Sequence, residues 1–136
     1  MQIEAKPVGN LSAGRTESDI SEVTLGRSGL RVLVEALLVD GHERYAVELH
    51  FDAPRGFRYL DEGDLLRYWR SKVFSPCAHL FEITSGGWLD QERQCEGMLN
   101  TTDAVGTCRE WFICTSNGCM NVLSVNEPLV REFHDL

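Results

Sequence analysis

Nothing in the chain constrains its folding more than the dipeptide Asp40-Gly41, set between two runs of alternating side chains, Leu30–Leu38 and Glu43–Phe51. Asp-Gly is preferred in two-residue type I′ turns because both positions tolerate positive φ. Placing it at the turn pairs Val39 with His42, and every later pair follows. One face then carries Leu30, Val32, Val34, Ala36 and Leu38 opposite Phe51, Leu49, Val47, Tyr45 and Glu43, of which nine of ten are apolar. The other face sets Arg31, Leu33, Glu35 and Leu37 against His50, Glu48, Ala46 and Arg44, and is mostly polar. A one-residue slip would turn one strand's apolar set to solvent, so turn chemistry and pattern specify the same register.

A second hairpin is predicted over Glu110–Thr115 and Cys119–Ser124, around Ser116-Asn117-Gly118. With Asn117-Gly118 at the turn, Thr115, Ile113 and Trp111 face Met120, Val122 and Ser124. Phe112 and Cys114 then face Leu123 and Asn121 on the opposite side. Both faces are substantially apolar, which predicts a central hairpin covered on both sides. In this register Cys114 pairs with Asn121 and Cys119 with Ser116; only a four-residue loop from Thr115 to Gly118 would set the two thiols opposite each other.

The intervening segments are less regular. After Asp52 the chain is expected to turn through Pro54 and Gly56. Asp61 is a natural N-cap, followed by Glu62 and Asp64 where the helix dipole favours acids. Leu65, Trp69 and Val73 recur at four-residue spacing, predicting a helix that Pro76 ends. His79–Thr84 reads as a strand, Ser85-Gly86-Gly87 as a break, Trp88–Leu99 as a second helix and residues 100–107 as loop. Ile20–Leu25 is a further strand, closed by Gly26 and Ser28-Gly29. The residues after Pro128 form a final strand or extended segment. Residues 1–19, with Pro7, Gly9, Asn10 and Gly14, predict a flexible N-terminal arm with a short strand near Gln2–Ala5, ahead of a single domain over residues 20–136. The order β-β-α-β-α-β-β predicts an α+β fold: one antiparallel sheet of about five to six strands with two helices packed on one face.

Several functions lack their signatures. The longest apolar stretch, Val32–Val39, is interrupted by Glu35 and is too short to span a bilayer. The opening Met-Gln-Ile-Glu-Ala-Lys carries no basic-then-apolar pattern, and five cysteines cannot all pair within the chain. Both point to reduced thiols and a cytoplasmic location. Cys77-x-His79 and Cys114-x4-Cys119 are the only close thiol or imidazole pairs, without the two-knuckle spacing of structural zinc. No metal or other cofactor is therefore expected. There is no Gly-x-Ser-x-Gly elbow and no phosphate loop, and two lysines cannot build a basic groove for nucleic acid. An enzyme would have to assemble a site from distant residues, with Cys77, His79 and nearby acids the nearest approach.

Charge is the more informative property. The chain carries 21 acids against 13 bases, and residues 61–136 hold 12 of the acids and 6 of the bases. Such a surface is repelled by nucleic acid and anionic membranes and is steered toward a basic partner. The partner-binding set predicted on this ground is Trp88 with Asp90, Glu92, Glu96 and Asp103, together with Asp61, Glu62 and Asp64. An aromatic anchor rimmed by carboxylates suits a cationic protein surface; the plainer alternative makes Trp88 the first core residue of its helix. The expectation is a small, acidic, non-enzymatic binding protein of the immunity-protein kind, neutralising a basic toxin such as a nuclease. The alternative is a structural or regulatory homodimer formed through a sheet edge or through an exposed strip of Phe112, Cys114 and Leu123.

Overall fold

A computed structural model describes residues 2–9, 17–37, 44–74, 78–97 and 99–134. In chain order the strands are β1 (Glu4–Pro7), β2 (Ser18–Gly26), β3 (Gly29–Leu37), β4 (Arg44–Phe51), β5 (Pro54–Asp61), β6 (Leu80–Ser85), β7 (Arg109–Cys114), β8 (Gly118–Ser124) and β9 (Leu129–His134). The helices are α1 (Leu66–Arg70), α2 (Trp88–Arg93) and α3 (Asn100–Val105), with a single 3-10 turn over Glu62–Asp64 before α1. The strands form two antiparallel sheets, one ordered β1-β6-β7-β8-β5 and the other β2-β3-β4-β9.

This overturns the expected α+β fold with one sheet and two packed helices. The molecule is a mostly-β sandwich whose helices are short. Three local causes account for the difference. Pro54 and Gly56 read as a turn, yet Pro is tolerated at the first position of an edge strand, and the register shift between Pro54 and Gly56 absorbs the irregularity. The helix expected over Trp88–Leu99 stops at Arg93, and Leu99 takes a left-handed φ of 63° before α3 starts, within the segment read as loop. The helix expected from Leu65 reaches only Arg70.

The first hairpin has the register its pattern predicts, from Leu30 opposite Phe51 to Leu37 opposite Arg44; the Asp40-Gly41 turn itself lies outside the described residues. Its apolar face supplies one half of the main core. Trp111, Ile113, Met120 and Val122 from β7 and β8 supply the facing half, all fully buried. Sheet-on-sheet burial of this kind contributes about 25 cal/mol per Å² of apolar surface removed from water.

The second hairpin differs from expectation by its loop. Cys114 lies opposite Cys119, Ile113 opposite Met120 and Trp111 opposite Val122. The loop is the four residues Thr115–Gly118, because Thr115 closes it with its own side chain. Its hydroxyl donates to the Gly118 carbonyl at 2.6 Å and accepts from the Gly118 amide at 3.0 Å. A Thr hydroxyl that satisfies the turn's backbone replaces the Asn-Gly preference. The outer face of the hairpin is also covered: Phe112, Cys114 and Cys119 pack with Leu65, Tyr68, Phe74 and Phe81.

The short strand expected near Gln2–Ala5 is β1, which pairs with β6. Residues 10–16 of the N-terminal segment lie outside the described residues. Among the described residues no helix is long and apolar enough to cross a membrane.

Tyr45, fully buried in the main core, has its hydroxyl pKa pushed up to about 12, first by burial and then by the Glu132 carboxylate. A raised folded-state value means that this contribution to stability is complete below the unfolded value near 10 and is lost as pH climbs through the folded one. Urea unfolding of Tyr45→Phe should therefore match wild type in slope against pH up to about pH 10. Above that, the variant should lose less stability than wild type; parallel curves would show that Tyr45 ionises without cost.

Candidate interaction surface

The outer face of the five-stranded sheet holds a buried polar network. Glu110, at the start of β7, is 1% exposed. Its carboxylate accepts from the backbone amides of Trp88 at 3.0 Å and Leu89 at 2.9 Å, the first residues of α2. Asn121 on β8 donates to the same carboxylate at 2.6 Å and to the Tyr68 hydroxyl at 3.1 Å. Arg58 of β5 donates to Asn121 Oδ1 at 2.9 Å and to Tyr68 at 3.1 Å, and its guanidinium lies 5.1 Å from the Trp88 ring centre. Burial raises the Glu110 pKa, while the amide and Asn121 donors pull it back down. The carboxylate does the work of an N-cap from a neighbouring strand, filling orphan donors that α2 has no side chain of its own to satisfy.

This contact explains Gly86-Gly87, read from sequence as a plain break. A side chain on Gly87 would stand 2.5 Å from Glu110 Oε1, and one on Gly86, at φ +79°, 2.3 Å from the Gln2 carbonyl oxygen. Close packing, not flexibility, calls for both glycines, against the Gln2 backbone at Gly86 and the Glu110 and Ile83 side chains at Gly87.

The eight predicted partner-binding residues fall into two groups. Asp61 lies opposite Gly118, whereas Glu110, which anchors α2, lies opposite Leu123. Five residues of strand separate those levels, about 17 Å. In the α2 group most polar atoms are engaged locally. Trp88 is half-buried and donates its indole N–H to Glu92 at 2.9 Å. Asp90 accepts from the Gly86 amide at 2.7 Å, and Asp103 pairs with Arg93 at 3.0 Å. Glu96 is exposed beyond the end of α2.

The other group gains members. Ser116 exchanges hydrogen bonds with Ser18 at the head of β2, and the Glu62 amide donates to the Asn117 carbonyl. The Thr115–Gly118 loop thus joins the start of β2 to the end of β5. Glu17 and Asp19 from β2 and its approach come to the same end of the sandwich as Asp61, Glu62 and Asp64. The register shift between Ile20 and Glu22 sets Asp19 directly opposite Glu35. All six carboxylates are exposed, and among the described residues no ion pair engages any of them. Asp61 makes one local contact, accepting from the Gly63 amide at 2.8 Å. Arg44, paired with Leu37, is a cation that the strand register brings to this end. Sequence reasoning missed Glu17, Asp19 and Glu35. The Gly26/Gly29 turn was a usable guide to β2–β3 pairing, but the bulge that aligns the two acids leaves no mark in the pattern.

No protein family, curated protein or solved structure matches this chain. Two open clefts flank α2. One, of about 250 Å³, is lined by Arg67, Gly86, Gly87, Asp90, Gln91 and Gln94. The other, of about 270 Å³, runs past Glu82, Cys108, Arg109 and Glu110. Neither cleft includes a histidine. His79 is fully buried, its Nδ1 3.0 Å from the Cys114 carbonyl oxygen, and Cys77 lies outside the described residues. Among the described residues no group of three His, Cys, Asp or Glu side chains is placed to hold a metal. The strip of Phe112, Cys114 and Leu123 that a homodimer through the second hairpin would use is buried.

Removing the Glu110 carboxylate leaves two amides and Asn121 without their acceptor in a buried site. Glu110→Ala should cost about 2–4 kcal/mol in chemical unfolding. Gly87→Ala should also destabilise the wild type. In the Glu110→Ala background it should cost less, because the nearest clashing atoms are gone. Additive costs would show that Gly87 answers to Ile83, whose Cγ2 is also near at 2.8 Å, and not to the carboxylate. Against Glu110→Gln, the wild type should lose relative stability as pH rises from about 4.3 through the raised folded-state value, since a raised acid pKa favours folding only while the proton stays on.

Proposed function

We propose that this chain is an acidic, non-enzymatic binding protein of the immunity-protein kind, acting in the cytoplasm to neutralise a basic protein toxin. A nuclease is the natural class, since the cationic surface that receives its anionic substrate is what a carboxylate-rich end would block. The observation that carries this reading is the convergence of Glu17, Asp19, Glu35, Asp61, Glu62 and Asp64 on the end of the sandwich closed by the Thr115–Gly118 loop. Like charges directly opposite on neighbouring strands, as Asp19 and Glu35 are, cost folding energy of a few tenths of a kcal/mol. Within the described residues no salt bridge offsets that cost, and a cationic partner would.

Trp88 and the α2 acids form a secondary part of the proposed surface. Their local hydrogen bonds leave Glu96 and the exposed part of the half-buried Trp88 to meet a partner, while the carboxylates at the loop end, without ion pairs among the described residues, supply the steering.

The test is capture of a basic protein from native lysate, followed by association kinetics with the purified partner. Raising the salt from 50 to 500 mM should slow association by about tenfold or more. The triple variant Asp61→Asn, Glu62→Gln, Asp64→Asn should lower the association rate at low salt and change dissociation much less. Failure to retain any basic protein at either salt, or kinetics indifferent to both salt and the triple variant, would remove the proposal.

A further inference from the structure

Four strands are sheet edges: β1 and β5 in one sheet, β2 and β9 in the other. Natural edges are blunted by shortness, proline, bulges or outward charge. Strand β1 has four residues and ends in Pro7. The register shift interrupts β2 between Ile20 and Glu22, and β9 carries Arg131 and Glu132 exposed along its length. Strand β5 differs. From Gly56 to Asp61 its pairing with β8 is regular, which leaves about 20 Å of straight edge. Its one mid-edge charge, Arg58, is turned back onto Asn121 and Tyr68.

The side chains beside this edge are apolar and only partly covered. Phe57 and Tyr59 pair with Val122 and Met120, whose side chains belong to the main core, so they point into the space between the sheets. Val23 and Leu25 of β2 pair with the core residues Val32 and Leu30 and point into the same space. Strand β2 meets β8, the neighbour of β5, at the end where Ser18 bonds Ser116. Yet Val23 is 39% exposed, Leu25 60%, Phe57 37% and Tyr59 53%. The sandwich is open along this margin, and apolar residues on core-facing positions are left to solvent. On the other face of β5, Trp88 packs 3.7 Å from the Cβ position of Gly56. The seam leads directly to Asp61, Glu62 and Asp64.

We propose that the basic partner docks by adding an extended segment to the free edge of β5. Its apolar side chains would fill the seam against Val23, Leu25, Phe57 and Tyr59, and its cations would lie at the acidic end. The inference rests on the proposed function for the sign of the partner's charge. A second copy of this chain is the poorer occupant, since two molecules of formal charge -8 repel each other. Strand addition supplies backbone hydrogen bonds, and alternate side chains in the seam supply selectivity.

The test uses two synthetic octapeptides, one of alternating lysine and leucine and one of alternating glutamate and leucine, titrated into the whole isotope-labelled chain. The lysine peptide should shift amide resonances of Gly56–Asp61 and Val23–Leu25 and bind at least about tenfold more tightly than the glutamate peptide. Val23→Ser with Tyr59→Ser should leave the chain folded by its amide spectrum and weaken binding by about tenfold. Shifts centred on Leu129 and Val130, equal binding of both peptides, or sedimentation as a dimer that masks the seam would overturn the proposal. If the serine pair changes nothing while the Asp61, Glu62, Asp64 triple variant abolishes binding, the seam is wrong and the acidic reading stands. If the serine pair abolishes binding and the triple variant changes nothing, the basic partner is wrong and this proposal falls with it.

Discussion

The β7–β8 hairpin is buried on both faces, and that double burial organises everything around it. One face meets the apolar side of the β3–β4 hairpin, with Trp111, Ile113, Met120 and Val122 at full burial. The other must be covered as well, and Leu65, Tyr68 of α1 and Phe74 do so. A hairpin with a single apolar face would need only a partner sheet. Two apolar faces require a third layer, and the short helices supply it despite having too few residues to be stable alone.

Burying the second face brings polar groups inside. Glu110 and Asn121 are 1% exposed, and an isolated buried carboxylate would cost several kcal/mol. Here each polar atom has a partner: two helix amides, an amide side chain, a phenol and a guanidinium. The network turns a cost into a constraint, since it fixes where α2 starts and leaves no room for a side chain at Gly87. It also holds Arg58 inward, which strips the β5 edge of the charge that would otherwise protect it. The uncovered edge and the buried network are thus two consequences of one arrangement.

The distribution of acids follows the same division. Carboxylates near α2 cap amides, receive the indole or pair with Arg93, and Glu82 is held below the ordinary carboxylate range mainly by hydrogen bonding from Arg109. Those at the Thr115–Gly118 end make no ion pair among the described residues, and Asp61 caps the Gly63 amide alone. A net charge of -8 therefore divides into carboxylates used by the fold and carboxylates left for solvent or a partner.

Local chemistry alone determined the first hairpin, because a two-residue turn and a period-two pattern specify one register between neighbours in sequence. It also marked β7 and β8 as strands apolar on both sides. It could not assign strands to sheets: β9 joins β4 and β1 joins β6 across most of the chain, and such pairings leave no local period. Strand β5 was hidden for a related reason. Its Pro54 and Gly56 look like breakers until a bulge and the approach of Trp88 give each a place. Asp61, Glu62 and Asp64 were legible as an acidic run, whereas Glu17, Asp19 and Glu35 joined them only through a bulge and a loop-to-strand contact. Hydrophobic period and turn preference act within a few residues and can be read along a chain; sheet membership and charge convergence depend on which distant strands bury each other, and only the folded molecule decides that.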